Sequence, residues 1–282
     1  STAVAAAALP STAMAAKPKR AQLGIQLYSL RGYKVDEALR HAKDLGFDQV
    51  EFYGGMLATD ASPEEIAKMK ATVAELGLSI SAHGVNRFGG NEAANRKIFE
   101  FAKSLGIPTI TADPGPESFD NLDDLVKEFD IRIAIHNHGP GHRYNKVVDV
   151  LNAIEGRDER IGACADLGHY IRSGENATDV IRSLKGRLYG IHLKDFAEMK
   201  QKTEGVILGT DILTSKVSSL HSTRSVFPPT APCHLSTKRI PAIRLRRSES
   251  ALLSPARRWP RSRVRNCRLG RGGGNPERRR AG

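Results

Sequence analysis

Residues 62–84 read SPEEIAKMKATVAELGLSISAHG, an amphipathic helix pattern that runs directly into an apolar strand pattern. Ser62 is placed to cap the helix, Pro63 fills its first position, and Glu65 stands three residues after the cap, where it can reach back. Gly77 suits the stop. The strand pattern LSISAHG (78–84) then ends on a histidine and a glycine. The same order recurs on both sides. VDEALRHAKDLG (35–46) spaces Val35, Ala38, Leu39, Ala42 and Leu45 at helical intervals ahead of QVEFYG (49–54). NEAANRKIFEFAKSLG (91–106) stands ahead of PTITADP (108–114).

Extended outward, the pattern yields seven candidate strands. The others are LGIQLYS (23–29), RIAIHNHG (132–139), GACADLGH (162–169) and LYGIHLKD (188–195). Helix, "LG", then a strand rich in β-branched or aromatic residues marks successive βα units with a buried parallel sheet. A doubly wound dinucleotide fold is disfavoured, because no GxGxxG follows the first strand. Polar residues fall at the C-terminal end of almost every strand, as they do where those ends form one shared site in a barrel. The fold expected is therefore α/β, a (β/α)8 TIM barrel over residues 21–209. About seven βα units are legible, and no eighth strand or helix can be read, so the barrel is expected to be incomplete with two strand edges open.

Charge separates the barrel from the C-terminal segment. The chain of 282 residues has a formal net charge of +12. Residues 211–282 hold 15 Arg and 2 Lys against Asp211, Glu249 and Glu277, a balance of +14, which leaves −2 for the first 210. The segment 210–282 is rich in Arg, Ser and Pro, and runs such as PARRWPRSRVR resemble GC-rich DNA read out of frame. It is expected to be a disordered or frame-shifted tail. A nucleic-acid arm would want aromatic side chains for stacking, and this stretch has only Phe227 and Trp259, so nucleic acid is not expected as a partner. Residues 1–20 are Ala-rich, with small residues at 13, 15 and 16 before Lys17, like the end of a secretory signal. They point to export, periplasmic or extracellular, with a disordered leader on a cytoplasmic protein as the alternative. No apolar run of membrane-spanning length comes after them. The three cysteines, at 164, 233 and 267, have neither metal nor disulfide-framework spacing.

Five of the nine histidines, at 83, 136, 138, 169 and 192, fall at strand ends together with Glu51, Asp166, Lys194 and Asp195. Alternation along a strand would turn His136 and His138 to one face and Asn137 toward the helices. A carboxylate and imidazoles converging on one point suit a divalent ion, Mn²⁺, Zn²⁺, Co²⁺ or Mg²⁺. Such an ion can polarise a carbonyl and acidify the neighbouring C–H, with a side chain carrying the proton. The candidates are His136, Asp166 and His192 for metal, Glu51, His138 and Lys194 for catalysis, and His83, His138 and His169 for substrate.

The strand ends GIQLYSLR, VEFYGG, SAHG, AIHNHG, ADLGH and GIHLKD resemble those of the xylose-isomerase-like barrel family, over about residues 22–209. That family includes sugar phosphate isomerases and epimerases, ketose 3-epimerases and inosose dehydratase. The resemblance implies a metal held by Asp166 and His192, with His136 at a fifth-strand position that is Glu in the epimerases. It implies a substrate contact for His169. The family's eighth-strand Glu has no counterpart after VILG (206–209). The function implied is a metal-dependent isomerase or epimerase of a sugar or sugar derivative. The alternatives are a lyase or dehydratase on a keto-sugar or inositol derivative, and a non-catalytic sugar-binding relative. Homo-oligomerisation is left open.

Overall fold

The computed structural model describes residues 23–206 and the backbone of 233–235. The leader 1–20 and nearly all of the basic tail lie outside the described residues, as do the readings made of them. The strands are β1 (Leu23–Gln26), β2 (Gln49–Phe52), β3 (Ser79–Phe88), β4 (Thr109–Pro114), β5 (Arg132–His136), β6 (Ile161–Asp166) and β7 (Leu188–Leu193). All seven lie where the sequence pattern places them. Between them run helices α1 (Val35–Asp44), α2 (Pro63–Glu75), α3 (Glu92–Leu105), α4 (Phe119–Phe129), α5 (Val147–Ile154), and the pair α6 (Leu167–Arg172) and α7 (Ala177–Ser183). Among the described residues, no helix is long and apolar enough to cross a membrane.

The helix boundaries obey the local chemistry. The amide of Glu65 donates to Ser62 Oγ at 3.2 Å, and the Ser62 amide donates to Glu65 Oε2 at 2.8 Å, closing the capping box read in the sequence. Asn91 caps α3 by accepting from the Ala94 amide at 3.0 Å. The "LG" stops are left-handed glycines, with φ of 85° at Gly46, 64° at Gly77 and 78° at Gly106.

The seven strands are parallel neighbours in sequence order, and the gap between β7 and β1 is spanned by a further short strand, β10 (Cys233–Leu235). Leu23 pairs with Cys233 on one side, and Ile191 with Cys233 on the other. A seven-unit barrel was legible; its three-residue closure was not. CHL sits between Pro232 and Ser236 in an Arg- and Pro-rich stretch, too short for alternation to show. The open edges expected from the sequence are thus paired. Between β7 and β10 lies a small antiparallel hairpin, β8 (Asp195–Phe196) with β9 (Gly205–Val206).

Strands β2, β4 and β6 are buried at every position, as parallel strands with helices outside and a packed barrel inside must be. The core joins strand residues such as Val50, Ile110, Ile133 and Ile161 to helix residues Leu39, Phe99, Leu122 and Tyr170. Strand β3 runs past the expected SAHG to Phe88, with irregular pairing to β4 between His83 and Asn86.

Candidate active site at the strand ends

The ends of β2, β5, β6 and β7 bring four predicted residues together. His136 Nε2 lies 3.1 Å from His192 Nδ1 and 3.4 Å from Asp166 Oδ2, and His192 Nδ1 lies 3.8 Å from the same carboxylate oxygen. All three side chains are buried. Adjacent strands β6 and β7 place Asp166 directly opposite His192, which explains why two motifs 26 residues apart meet.

Glu51, from β2 across the barrel, accepts from His192 Nε2 at 2.7 Å and from the Thr111 hydroxyl at 2.7 Å. One carboxylate oxygen serves each, so Glu51 orients His192 and leaves its Nδ1 facing the cluster. Bracing of this kind is what a carboxylate behind an imidazole ligand does. Burial opposes charge on His192, but the neighbouring Cys164 and Glu51 outweigh it and hold the imidazole well above its ordinary range. Burial likewise works to raise the pKa of Asp166, yet Lys194, His169 and His136 together hold it well below the usual carboxylate range. Lys194 Nζ donates to Asp166 Oδ2, giving that oxygen a positive partner.

The Asp166 backbone is clamped by a residue that strand alternation would send to the helices. β5 ends at His136, so alternation no longer governs Asn137. Its buried amide turns toward β6, donating to Asp166 O at 3.0 Å and accepting from the Asp166 amide at 2.7 Å. The HNH string carried no signal for this role beyond a polar residue between two histidines. Asp166 Oδ1 also caps α6 by accepting from the His169 amide at 3.1 Å, which puts His169 on the first turn after the strand. Gly168 permits that turn: a Cβ there would stand 2.5 Å from Lys194 Cβ and 2.6 Å from Phe196.

His138 lies beyond the strand, half-buried, with its amide donating to Tyr144 O at 2.9 Å. Its ring centroid is 4.8 Å from that of His136 and 5.7 Å from that of His169. Burial first, then His136, His142 and His169, pull His138 down to about 3. His169 falls to about 4 for the same leading reason. Both are neutral at physiological pH, and each is a weak base that gains a proton only when negative charge develops beside it. His83 is placed differently. Its Nε2 lies 2.9 Å from Leu57 O, and its Nδ1 accepts from the Asn86 amide at 3.1 Å. Both ring nitrogens are committed to the barrel wall, leaving neither for a substrate.

A second close group joins Asp113, His138 and His142. The Tyr144 amide donates to His142 Nδ1 at 3.3 Å, so the proton sits on Nε2, which faces Asp113 Oδ2 at 3.3 Å. That is an ordinary histidine–aspartate hydrogen bond. The group at His136, Asp166 and His192 differs, because there all three side chains are buried and their ligand atoms converge from three adjacent strands.

The family model of the xylose isomerase-like TIM barrel matches residues 39–216, more than half of the chain. The chain belongs to that family. A putative uncharacterized protein from Parabacteroides distasonis is 28% identical, with a TM-score of 0.61 over 77% of this chain and 90% of that one. The IOLI protein, solved with a bound zinc atom, is 18% identical over 78% and 90%, also with a TM-score of 0.61. A D-psicose 3-epimerase solved with D-fructose is 14% identical over 77% and 84%, with a TM-score of 0.56. No curated protein matches. Most members of this fold family are enzymes, and the family often holds a divalent metal.

Proposed function

We propose that the chain is a metal-dependent isomerase or epimerase acting on a sugar or sugar derivative. The observation that carries this reading is the convergence of His136 Nε2, His192 Nδ1 and Asp166 Oδ2 at adjacent strand ends. Two imidazoles and one carboxylate suit Zn²⁺, Co²⁺ or Mn²⁺ better than the all-oxygen preference of Mg²⁺. The fit is strengthened by the brace that Glu51 puts on His192 Nε2. When bound, such an ion supplies Lewis acidity to a substrate carbonyl.

The protein's own groups do the rest. His138 takes the proton from the carbon beside the carbonyl, and the C–H electron pair moves onto the carbonyl oxygen. The Lys194 ammonium faces the negative charge that develops there. Return of the proton from His138 to the neighbouring carbon gives the isomer, whereas the epimer requires a second donor on the opposite face. His169 holds a substrate hydroxyl.

One feature favours a lyase as the second reading. Both Glu51 oxygens are occupied by His192 and Thr111, so no pair of carboxylates flanks the site to exchange protons from opposite faces. A single imidazole base with an ammonium acid suffices to remove a group β to a carbonyl. The full chain should be loaded in turn with Mn²⁺, Zn²⁺ and Co²⁺ and incubated with a panel of ketoses and keto-sugars in D₂O, monitored by NMR. Epimer, isomer or deuterium at the α-carbon supports the leading reading, and an unsaturated product supports the lyase. Loaded protein that exchanges no α-proton refutes both.

A further inference from the structure

Beside the histidine cluster, at the same end of the barrel, opens a cavity of about 430 Å³. Three cationic side chains reach it from separate elements: Arg31 after β1, Arg172 at the end of α6, and Lys202 in the loop of the β8–β9 hairpin. Gln201 and Thr203 add neutral hydrogen-bonding groups, and Phe196 an apolar wall. Among the described residues, no carboxylate lines it.

Both guanidiniums are anchored through one nitrogen each. Arg31 Nη1 donates to Tyr28 O at 2.8 Å, with its head 4.5 Å from the Tyr28 ring centre. Arg172 Nε donates to Gln201 O at 2.9 Å, with its head 5.9 Å from the Phe196 ring centre. Anchoring fixes the planar heads and keeps their other N–H donors for a ligand, the arrangement that suits planar or tetrahedral anions. The cavity also adjoins the cluster. The Arg172 guanidinium comes within 3.6 Å of the Cβ position at Gly139, the residue after His138, and its charge acts on His169. Residues 1–210 are close to neutral, so three cations lining one cavity with no carboxylate among them are a local feature.

We propose that this cavity receives the anionic end of the substrate, a carboxylate or a phosphate, while the carbonyl end lies over His136, Asp166 and His192. It rests on the proposed function only for where the reacting end lies. Phosphate and carboxylate share the chemistry of Arg recognition, and the test separates them.

The full chain is titrated calorimetrically with D-fructose, D-fructose 6-phosphate and 2-keto-D-gluconate. One anion is expected to bind at least about tenfold more tightly than D-fructose, with the advantage shrinking at high ionic strength. The tighter anion names the group. Arg172→Ala should abolish the preference. So should Arg31→Ala combined with Lys202→Ala, two exposed positions whose loss leaves the core intact. His192→Ala, which removes the proposed chemistry, should keep the anion preference, so a failed isomerase reading leaves this one standing. Equal binding of ketose and anions, no measurable anion binding, or a preference that survives the arginine and lysine substitutions overturns the proposal.

Discussion

Replacing Asn137 by leucine tests whether the site is built through the backbone of Asp166. Leucine has nearly the shape of asparagine, so the change removes two hydrogen bonds without opening a large cavity. The Asp166 amide loses its 2.7 Å acceptor and the Asp166 carbonyl its 3.0 Å donor, in a place from which Asn137 and Asp166 are both excluded from water. Each buried backbone group left unsatisfied costs about 1–3 kcal/mol, so the pair should cost about 2–6 kcal/mol. Against a domain stability of about 5–15 kcal/mol that is a large share. With a urea m-value of about 2–3 kcal/mol/M, the midpoint should fall by about 0.7–3 M at unchanged m. Equilibrium urea unfolding of the full chain, monitored by far-UV circular dichroism, measures it. A midpoint shift below about 0.3 M would mean that the Asp166 backbone finds other partners, and the clamp would lose its claimed role.

The same geometry sets further outcomes. Glu51→Gln can still accept from only one of Thr111 and His192; where its amide NH₂ meets His192 Nε2, the imidazole proton moves to Nδ1 and masks the lone pair, so Zn²⁺ affinity should fall by about 10–100-fold in a competition titration. For the unaltered chain that affinity should rise with pH, by about tenfold per unit for the one proton that His192 sheds, because its raised pKa keeps it charged until metal replaces the proton; a flat profile would deny His192 as a ligand. Tyr170→Phe should stabilise by about 1 kcal/mol in thermal or urea unfolding, since the buried hydroxyl has no partner among the described residues; a loss of stability would reveal one. Gly168→Ala should cost about 1–3 kcal/mol in the same unfolding assay, as its Cβ meets Lys194 Cβ and Phe196 where neither wall can easily retreat.

The barrel was legible because each βα unit carries its own punctuation. Ser62, Pro63 and Glu65 start a helix, Gly77 ends it, and the apolar run after it has nowhere to go but a buried strand. The cluster was legible because His136, Asp166 and His192 are the last residues, or nearly so, of their strands, and in a barrel strand ends share one mouth. Residues that act across strands were harder to see. Glu51 reads as a site residue at the end of β2, but its service to His192 depends on a partner 141 positions away. Thr111 and Asn137 have side chains common in any strand or turn, and only the register of β4, β5 and β6 turns them toward their partners. His83 reads in the sequence as a strand end like the others, although β3 runs on to Phe88, and nothing local distinguishes an imidazole bonded to Leu57 and Asn86 from one kept for a ligand.

The seam at β10 has a consequence for how the chain reaches its folded state. Each junction from β1 through β7 joins strands close in sequence, so those pairs can form early, at small cost in chain entropy. Leu23 and Cys233, by contrast, must meet across nearly the whole barrel sequence, and only three residues reward the encounter. Ring closure, which must bring together the residues farthest apart in sequence, is then the last event of folding, and β1 with β7 should show the earliest amide exchange of the seven strands. The seam is also the junction that bridges the longest stretch of chain, from Leu23 to Cys233.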